Sequence, residues 1–175
     1  PPKPTPMPTQ TPEPTPTAGN NLAFNKTATA SSTGSGNSAS KAVDGYDGTT
    51  YTTKTRWASS GFADPQWLKV DLAQGYSIDN VVIKWEAAFG KAYQIQVSND
   101  DVNWYDYTPV IAGDGGIDPV TLNSPVFARY VRVNITEAFN ASWGVSLWEF
   151  EIYPAAGEAP TPSPTPVPTA TPTPT

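Results

Sequence analysis

The side chains that perform most covalent chemistry in proteins are missing from this sequence. Its 175 residues contain no Cys and no His, so thiol nucleophiles, Ser–His pairs and His-based metal sites are excluded. Sixteen Asp and Glu residues include enough carboxylates for a glycosidase pair, whose two groups lie about 5–10 Å apart. So many acids bring some pair that close in any fold, and proximity alone is therefore weak support for catalysis. We expect this chain not to be an enzyme.

The chain is rich in aromatic side chains. Such rings bind a ligand where they are exposed and have polar groups beside them. All six Trp and all eight Tyr lie between residues 20 and 153. Which of these rings are exposed depends on the elements that hold them.

Apolar residues recur with period two through this central region. Leu68, Val70 and Leu72 alternate with polar neighbours, and the same pattern recurs at 81–85, 93–97, 131–135 and 148–152. Turn-forming residues separate the runs, for example at 98–101 and 113–116. Short strands at this spacing predict an all-β fold, an antiparallel β-sandwich or jelly roll.

Proline divides the chain into three parts. Of the 20 prolines, eight lie in residues 1–17 and eight in residues 154–175. The Pro-Thr ends have almost no aliphatic residues to bury, which predicts disordered or extended linkers over residues 1–19 and 155–175 around one domain, residues 20–154. Linkers on both sides favour a secreted, extracellular parent protein with further domains.

The charge of the chain limits its partners. A net charge of −6 argues against nucleic acid and anionic membranes, both of which need clustered Lys and Arg. No run of about 18 apolar residues is present to span a membrane. We expect a monomer that binds neither.

Nine short motifs stand in the order found in the discoidin fold, also called the coagulation factor V/VIII type C domain. Among them are Ala42-Val43-Asp44-Gly45, Thr55-Arg56-Trp57, Ala128-Arg129-Tyr130-Val131-Arg132 and the closing Gly144-Val145-Ser146-Leu147-Trp148-Glu149. From Asn21 to Tyr153 the chain resembles this family, and within it the bacterial family-32 carbohydrate-binding modules. The resemblance implies a discoidin-like jelly roll that binds polysaccharide without catalysis and tethers a secreted glycan-degrading enzyme to it.

The resemblance also implies a structural calcium ion, which prefers six to eight oxygen ligands. Matching the family's motifs residue by residue gives Asp44, Thr55 and Glu149 as ligands. The loop from Tyr46 to Lys54 is longer than in the family; it adds Asp47 and Thr49 as alternatives, and the carbonyl of Lys41 is a further candidate. Asp44 alone is equally consistent with a turn cap before Gly45.

A second acidic segment, Asn99-Asp100-Asp101, lies between two strand patterns. We interpret it as a hairpin turn rather than a metal site.

Loop position selects the candidate sugar-binding residues. Family-32 modules often place a stacking aromatic residue before the closing Gly-x-Ser-Leu segment, where this chain has Trp143. The other candidate rings lie in loops or in the long insertion: Phe62, Phe89, Tyr46 and Tyr51. Candidate partners for sugar hydroxyls are Asp64, Glu86 and Asn140, although each is equally able to satisfy backbone donors in its own loop.

The remaining aromatic and basic residues are predicted to be structural. Trp85, Trp148 and Tyr93 lie on the apolar phase of strands, and Trp57 and Trp67 belong to structural motifs, so all five are predicted to be core. Arg56 and Arg129 are each expected to pair with a carboxylate.

The identity of the ligand is the least determined feature of the sequence. A β-glucan or a hexosamine polymer is favoured, since the acidic chain suits a neutral or cationic glycan. The alternative function is a discoidin-type adhesion module that binds a protein or lipid surface.

Overall fold

A computed structural model describes residues 21–48, 55–61 and 65–156. Eight strands cover most of the described chain: β1 Thr27–Ala30, β2 Trp57–Ala58, β3 Gln66–Trp85, β4 Gly90–Ser98, β5 Tyr105–Asp106, β6 Ile111–Ala112, β7 Ile117–Ala138 and β8 Ser146–Pro154. One turn of 3₁₀ helix covers Ala39–Ala42, and the described residues form no α-helix. None of their helices is therefore long and apolar enough to cross a membrane. The predicted all-β fold is confirmed.

Strands β3 and β7 each contribute to both layers of the sandwich. Residues 66–71 of β3 pair with β1 and with residues 130–135 of β7, whose far side pairs with β4. Residues 76–84 of β3 pair instead with residues 117–128 of β7 and with β8. Register shifts at 71–76 and 78–80 mark the bends where β3 passes from one layer to the other. All pairings are antiparallel, as predicted.

The predicted strand alternation places the core between the layers. Leu68 and Val70 of β3, Val133 of β7 and Phe150 and Ile152 of β8 are fully buried in one cluster. Four of the five aromatic residues predicted to be core are buried: Trp57, Trp85, Tyr93 and Trp148.

The prediction that Trp67 belongs to the core is wrong. Trp67 precedes Leu68 on β3, so the period of two turns its side chain to the outer face, where it is half-buried. The Nζ of Lys69 and the guanidinium of Arg132 lie 5.8 and 6.0 Å from its ring centre. Trp67 therefore packs under cationic side chains on the surface of the sheet.

The acidic segment after β4 is a hairpin turn, as predicted. The Oδ1 of Asp100 accepts hydrogen bonds from the backbone N–H groups of Asn103 and Val102, at 2.8 and 2.9 Å, and β5 then returns antiparallel to β4. These bonds, led by the one from Asn103, hold the pKa of Asp100 well below its ordinary value.

Candidate functional site

Three loops meet at one end of the sandwich and are joined by backbone hydrogen bonds. The loop between β3 and β4 is tied to the β7–β8 connection, since Phe139 N donates to Phe89 O at 3.0 Å and Ser146 N donates to Ala88 O at 2.8 Å. The segment after β2 joins them through Ser59 N, which donates to Val145 O at 2.8 Å. Loops that are distant in sequence thereby form one surface.

Three aromatic rings stand on this surface, and we call Phe89, Phe139 and Trp143 the aromatic ridge. Phe89 and Phe139 stack with ring centres 4.6 Å apart and planes inclined by 20°. The centre of Trp143 lies 6.4 Å from that of Phe139, at 59°. Trp143 is 60% exposed and Phe139 53% exposed, while Phe89 is half-buried beneath them. The ridge presents an apolar surface to solvent.

The structure thus brings together Trp143 and Phe89, which the sequence placed in loops, and adds Phe139. Sequence reasoning missed Phe139 because it directly follows the last strand residue, Ala138, and could be read as the end of the alternation. The available signal was the polar turn residue Asn140 that comes immediately after it.

The backbone around Trp143 is fixed by its neighbours. Asn140 Oδ1 accepts from Ser142 N at 2.9 Å, and Asn140 O accepts from Trp143 N at 3.0 Å. Asn140 therefore satisfies donors of its own loop, one of the two roles considered for it. Gly144 follows with φ of +80°, and a Cβ there would lie 2.6 Å from Ser59 Oγ, so only glycine fits.

A half-buried ion pair lies beside the same loops. Glu86 Oε2 accepts from Ser146 Oγ at 2.8 Å and from Ala88 N at 3.2 Å, and Arg56 Nε lies 3.9 Å from the same oxygen. The pairing of Arg56 with a carboxylate was predicted and is confirmed, as is that of Arg129 with Asp71. Arg56 Nε and Nη1 are buried without a hydrogen-bond acceptor, whereas Glu86 is held both by Ser146 of β8 and by Ala88 of its own loop.

The two acids proposed for calcium face each other at the edge of β8. Glu149 is fully buried; its Oε1 accepts from Gly45 N and Tyr46 N at 2.8 and 3.0 Å, while its Oε2 is buried with no hydrogen bond. Burial, and then the neighbouring carboxyl group of Asp44, raise the pKa of Glu149 to about 8. An unsatisfied buried oxygen beside a second carboxylate fits a cation.

Three of the other candidate ligands lie among the described residues. Lys41 lies in the 3₁₀ turn, Asp47 is exposed, and Thr55 precedes β2. The described residues contain no group of three or more acidic, His or Cys side chains suited to a metal ion. A cation at Asp44 and Glu149 would therefore need hydroxyl or carbonyl oxygens as well.

Several predicted residues are not part of the ridge. Tyr46 is half-buried, and its backbone N–H donates to Asp44 Oδ1 as well as to Glu149. The candidates Thr49, Tyr51, Phe62 and Asp64 lie outside the described residues.

The F5/8 type C domain model matches residues 27–150, and the chain belongs to this family. No curated protein matches it. Among solved structures, it is 47% identical to chitosan-binding module 1 of a chitosanase/glucanase from Paenibacillus sp. IK-5, covering 76% of this chain and 98% of that one, with a TM-score of 0.67. Module 2 of the same enzyme, solved with chitotriose, is 43% identical over 76% of this chain and 99% of its own, with a TM-score of 0.69.

A more distant neighbour shows the fold alone. The family 32 carbohydrate-binding module of NanJ from C. perfringens, in complex with galactose, is 21% identical over 77% of this chain and 97% of its own, with a TM-score of 0.65. This likeness agrees with the predicted discoidin fold.

Proposed function

We propose that this chain is a non-catalytic carbohydrate-binding module that holds polysaccharide against the aromatic ridge. Three rings in contact, two of them more than half exposed, carry this proposal. Contiguous exposed apolar surface marks a binding site, and aromatic rings of this kind stack on the C–H faces of sugars. The backbone bonds that join the three loops keep the rings in place before the ligand arrives, which lowers the entropic cost of binding.

The favoured ligand is a β-linked hexosamine polymer, with β-glucan as the second choice. The similarity to chitosan-binding modules at 43–47% identity supports this preference. The net charge of −6 supports it independently, since a negative surface attracts a cationic polymer and repels an anionic one.

We further propose that the module serves a larger secreted protein. The Pro-Thr segments 1–19 and 155–175 would link it to a glycan-degrading domain, which then works at a raised local concentration of substrate. The origin of the similar modules in a chitosanase/glucanase supports this arrangement. The module would act as a monomer.

Calcium, when bound, would stabilise the loop that precedes the long insertion and take no part in chemistry. Asp44 and Glu149 would hold it, with oxygens of Lys41, Asp47, Thr49 or Thr55 completing the shell. The support is the buried Glu149 Oε2, which no hydrogen bond satisfies.

A binding panel tests the proposed function. The protein is incubated with insoluble chitosan, chitin, cellulose and β-glucan, and separately with phosphatidylserine vesicles, and the bound fraction is measured after sedimentation. We expect retention on one or more polysaccharides, most strongly on chitosan, and none on the vesicles. Binding to vesicles without retention on any polysaccharide would overturn the proposal in favour of the adhesion function.

A further inference from the structure

A cleft of about 350 Å³ opens beside the aromatic ridge, between β6 and the start of β7. Its lining combines apolar and polar side chains, among them Tyr93, Ile111, Asp114, Asp118, Pro119 and Val120. This volume falls within the range of small-ligand sites, as does the mixture of an apolar wall with a few polar groups.

The carboxylate of Asp118 is held rigidly at the cleft. Its Oδ2 accepts from Trp85 Nε1 at 2.7 Å and from the Tyr93 hydroxyl at 2.9 Å, both donors belonging to buried residues. Burial, then Asp118, then the charge of Asp114 raise the pKa of Tyr93 far above its ordinary value, so the phenol remains a donor. The two hydrogen bonds therefore fix the position of the Asp118 side chain.

Neither aspartate at the cleft is paired with a cation. Asp114 is exposed, and within the described ranges no Lys or Arg nitrogen lies within 4.0 Å of Asp114 or Asp118. Lys91, whose carbonyl accepts from Gly113 N, directs its Nζ to Glu137 at 2.6 Å. Two uncompensated negative charges therefore face the cleft.

The cleft is continuous with the ridge through the loop at 113–116. A Cβ on Gly115 would lie 3.0 Å from the ring of Phe89, so the residue after Asp114 touches the ridge directly. Gly116 O accepts from Trp85 N at 2.7 Å, which anchors the loop to the end of β3. A glycan that lies on the ridge and continues past Phe89 would reach Asp114 next.

We propose that this cleft is a second subsite that receives the protonated amino group of a hexosamine unit, with Asp114 and Asp118 as its acceptors. This inference rests on the proposed function and deepens it, because it makes the free amine the feature that the module selects. A neutral glucan or an N-acetylated chain carries no cation for the cleft and would be held by the ridge alone.

Calorimetric titration of the full chain tests the subsite with four ligands: hexamers of glucosamine, N-acetylglucosamine and glucose (cellohexaose), and hexalysine. We expect the glucosamine hexamer to bind best. Asp114→Asn should weaken that binding about threefold to tenfold and leave the two neutral hexamers unchanged, the range expected for one exposed charge contact. Salt screens such contacts. The preference for the glucosamine hexamer should therefore be smaller at about 0.5 M NaCl than at about 0.05 M NaCl.

Two further Asp→Asn variants complete the test, one as a control outside the cleft and one at the second acceptor. Asp79→Asn removes the same charge from the second half of β3, outside the cleft lining, and should not change the preference. Asp118→Asn retains an oxygen acceptor for Trp85 and Tyr93, and its melting temperature shows whether it is folded; if folded, it should lose the preference as Asp114→Asn does.

The failures of the two proposals are distinguishable. The proposed subsite would be overturned if all three sugar hexamers bound equally, or if Asp114→Asn kept the wild-type preference. Retention on polysaccharide would in that case still support binding at the ridge. If hexalysine binds as tightly as the glucosamine hexamer, the cleft recognises positive charge alone. That result would also overturn the sugar subsite. Absence of binding to every sugar would instead count against the proposed function.

Discussion

The ring of Phe139 rests on the ring of Phe89, with centres 4.6 Å apart, and the backbone N–H of Phe139 donates to the carbonyl of Phe89. The two residues belong to different loops, so their stacking depends on the whole sandwich. Phe139 also contacts Trp143 and is therefore the central ring of the ridge.

Replacing the central ring should damage binding more than folding. Phe139→Ala removes a ring that is 53% exposed, so the melting temperature should fall by only a few degrees. Binding to the favoured polysaccharide should weaken by about 1–3 kcal/mol, the usual range for a stacked aromatic at a binding site. Phe127→Ala, which removes a similarly exposed ring from β7, is the control in affinity electrophoresis. Equal retardation of both variants would contradict a role for Phe139.

Calcium should stabilise the fold through Asp44 and Glu149. A ligand that binds only the native state adds about 2.7 kcal/mol at one hundred times its Kd, so added calcium should raise the melting temperature. Glu149→Gln should lose that response, because it removes the charge but keeps an oxygen for Gly45 N and Tyr46 N.

Metal content must be measured before the calcium titration, because a tightly held ion would hide the effect. In chelator near pH 7, Glu149→Gln should be about as stable as wild type, since a pKa of about 8 leaves Glu149 largely protonated and the amide then replaces a neutral carboxyl group. A calcium response in Glu149→Gln equal to that of wild type would exclude this site.

The Asp71–Arg129 ion pair should contribute acid-sensitive stability. Arg129 Nε and Nη2 donate to Asp71 Oδ1 and Oδ2 at 2.8 and 2.9 Å, and this bonding, with help from Ala73 N and Lys69, lowers the pKa of Asp71. A carboxyl group with a lowered folded pKa stabilises the fold above its unfolded value near 3.8, and that contribution is lost as pH falls through the folded value.

Asp71→Asn should therefore cost up to about 1 kcal/mol at pH 7, because the pair is partly exposed. The difference from wild type should shrink below about pH 4, as urea unfolding at pH 7, 5 and 3 would show. A difference that stays constant down to pH 3 would mean that the pair contributes nothing through its charge. Asp79→Asn is the control, since Asp79 has no Lys or Arg partner among the described residues.

Much of the fold could be predicted because the alternation of apolar and polar residues along each strand is visible in a short stretch of sequence. Leu68, Val70 and Leu72 are buried where alternation placed them, and the hairpin at Asp100 follows from its turn residues. Trp67 was misassigned because it belongs to a motif that was interpreted as structural, whereas the period of two along the strand turns its side chain outward.

The candidate site was less predictable because its loops are distant in sequence and come together only in the folded domain. Trp143 could be selected from its place before Gly144, but its contact with Phe139 and the stacking of Phe139 on Phe89 depend on how β3, β4, β7 and β8 pair. The cleft at Asp118 was invisible in the sequence for the same reason: its carboxylate is fixed by Trp85 and Tyr93, which come from two other strands.

The exposed indole of Trp143 offers the sharpest test of polysaccharide binding at the aromatic ridge. Trp143→Ala and Tyr105→Ala each remove an exposed aromatic ring, 60% and 66% exposed, but only Trp143 belongs to the ridge; Tyr105 lies on β5, beyond the far end of β4. Their affinities for chitosan and β-glucan are measured beside wild type, with melting curves to confirm folding. We expect Trp143→Ala to lose about 1–3 kcal/mol of binding free energy and Tyr105→Ala to bind as wild type does. A folded Trp143→Ala variant with wild-type affinity would contradict binding at the ridge.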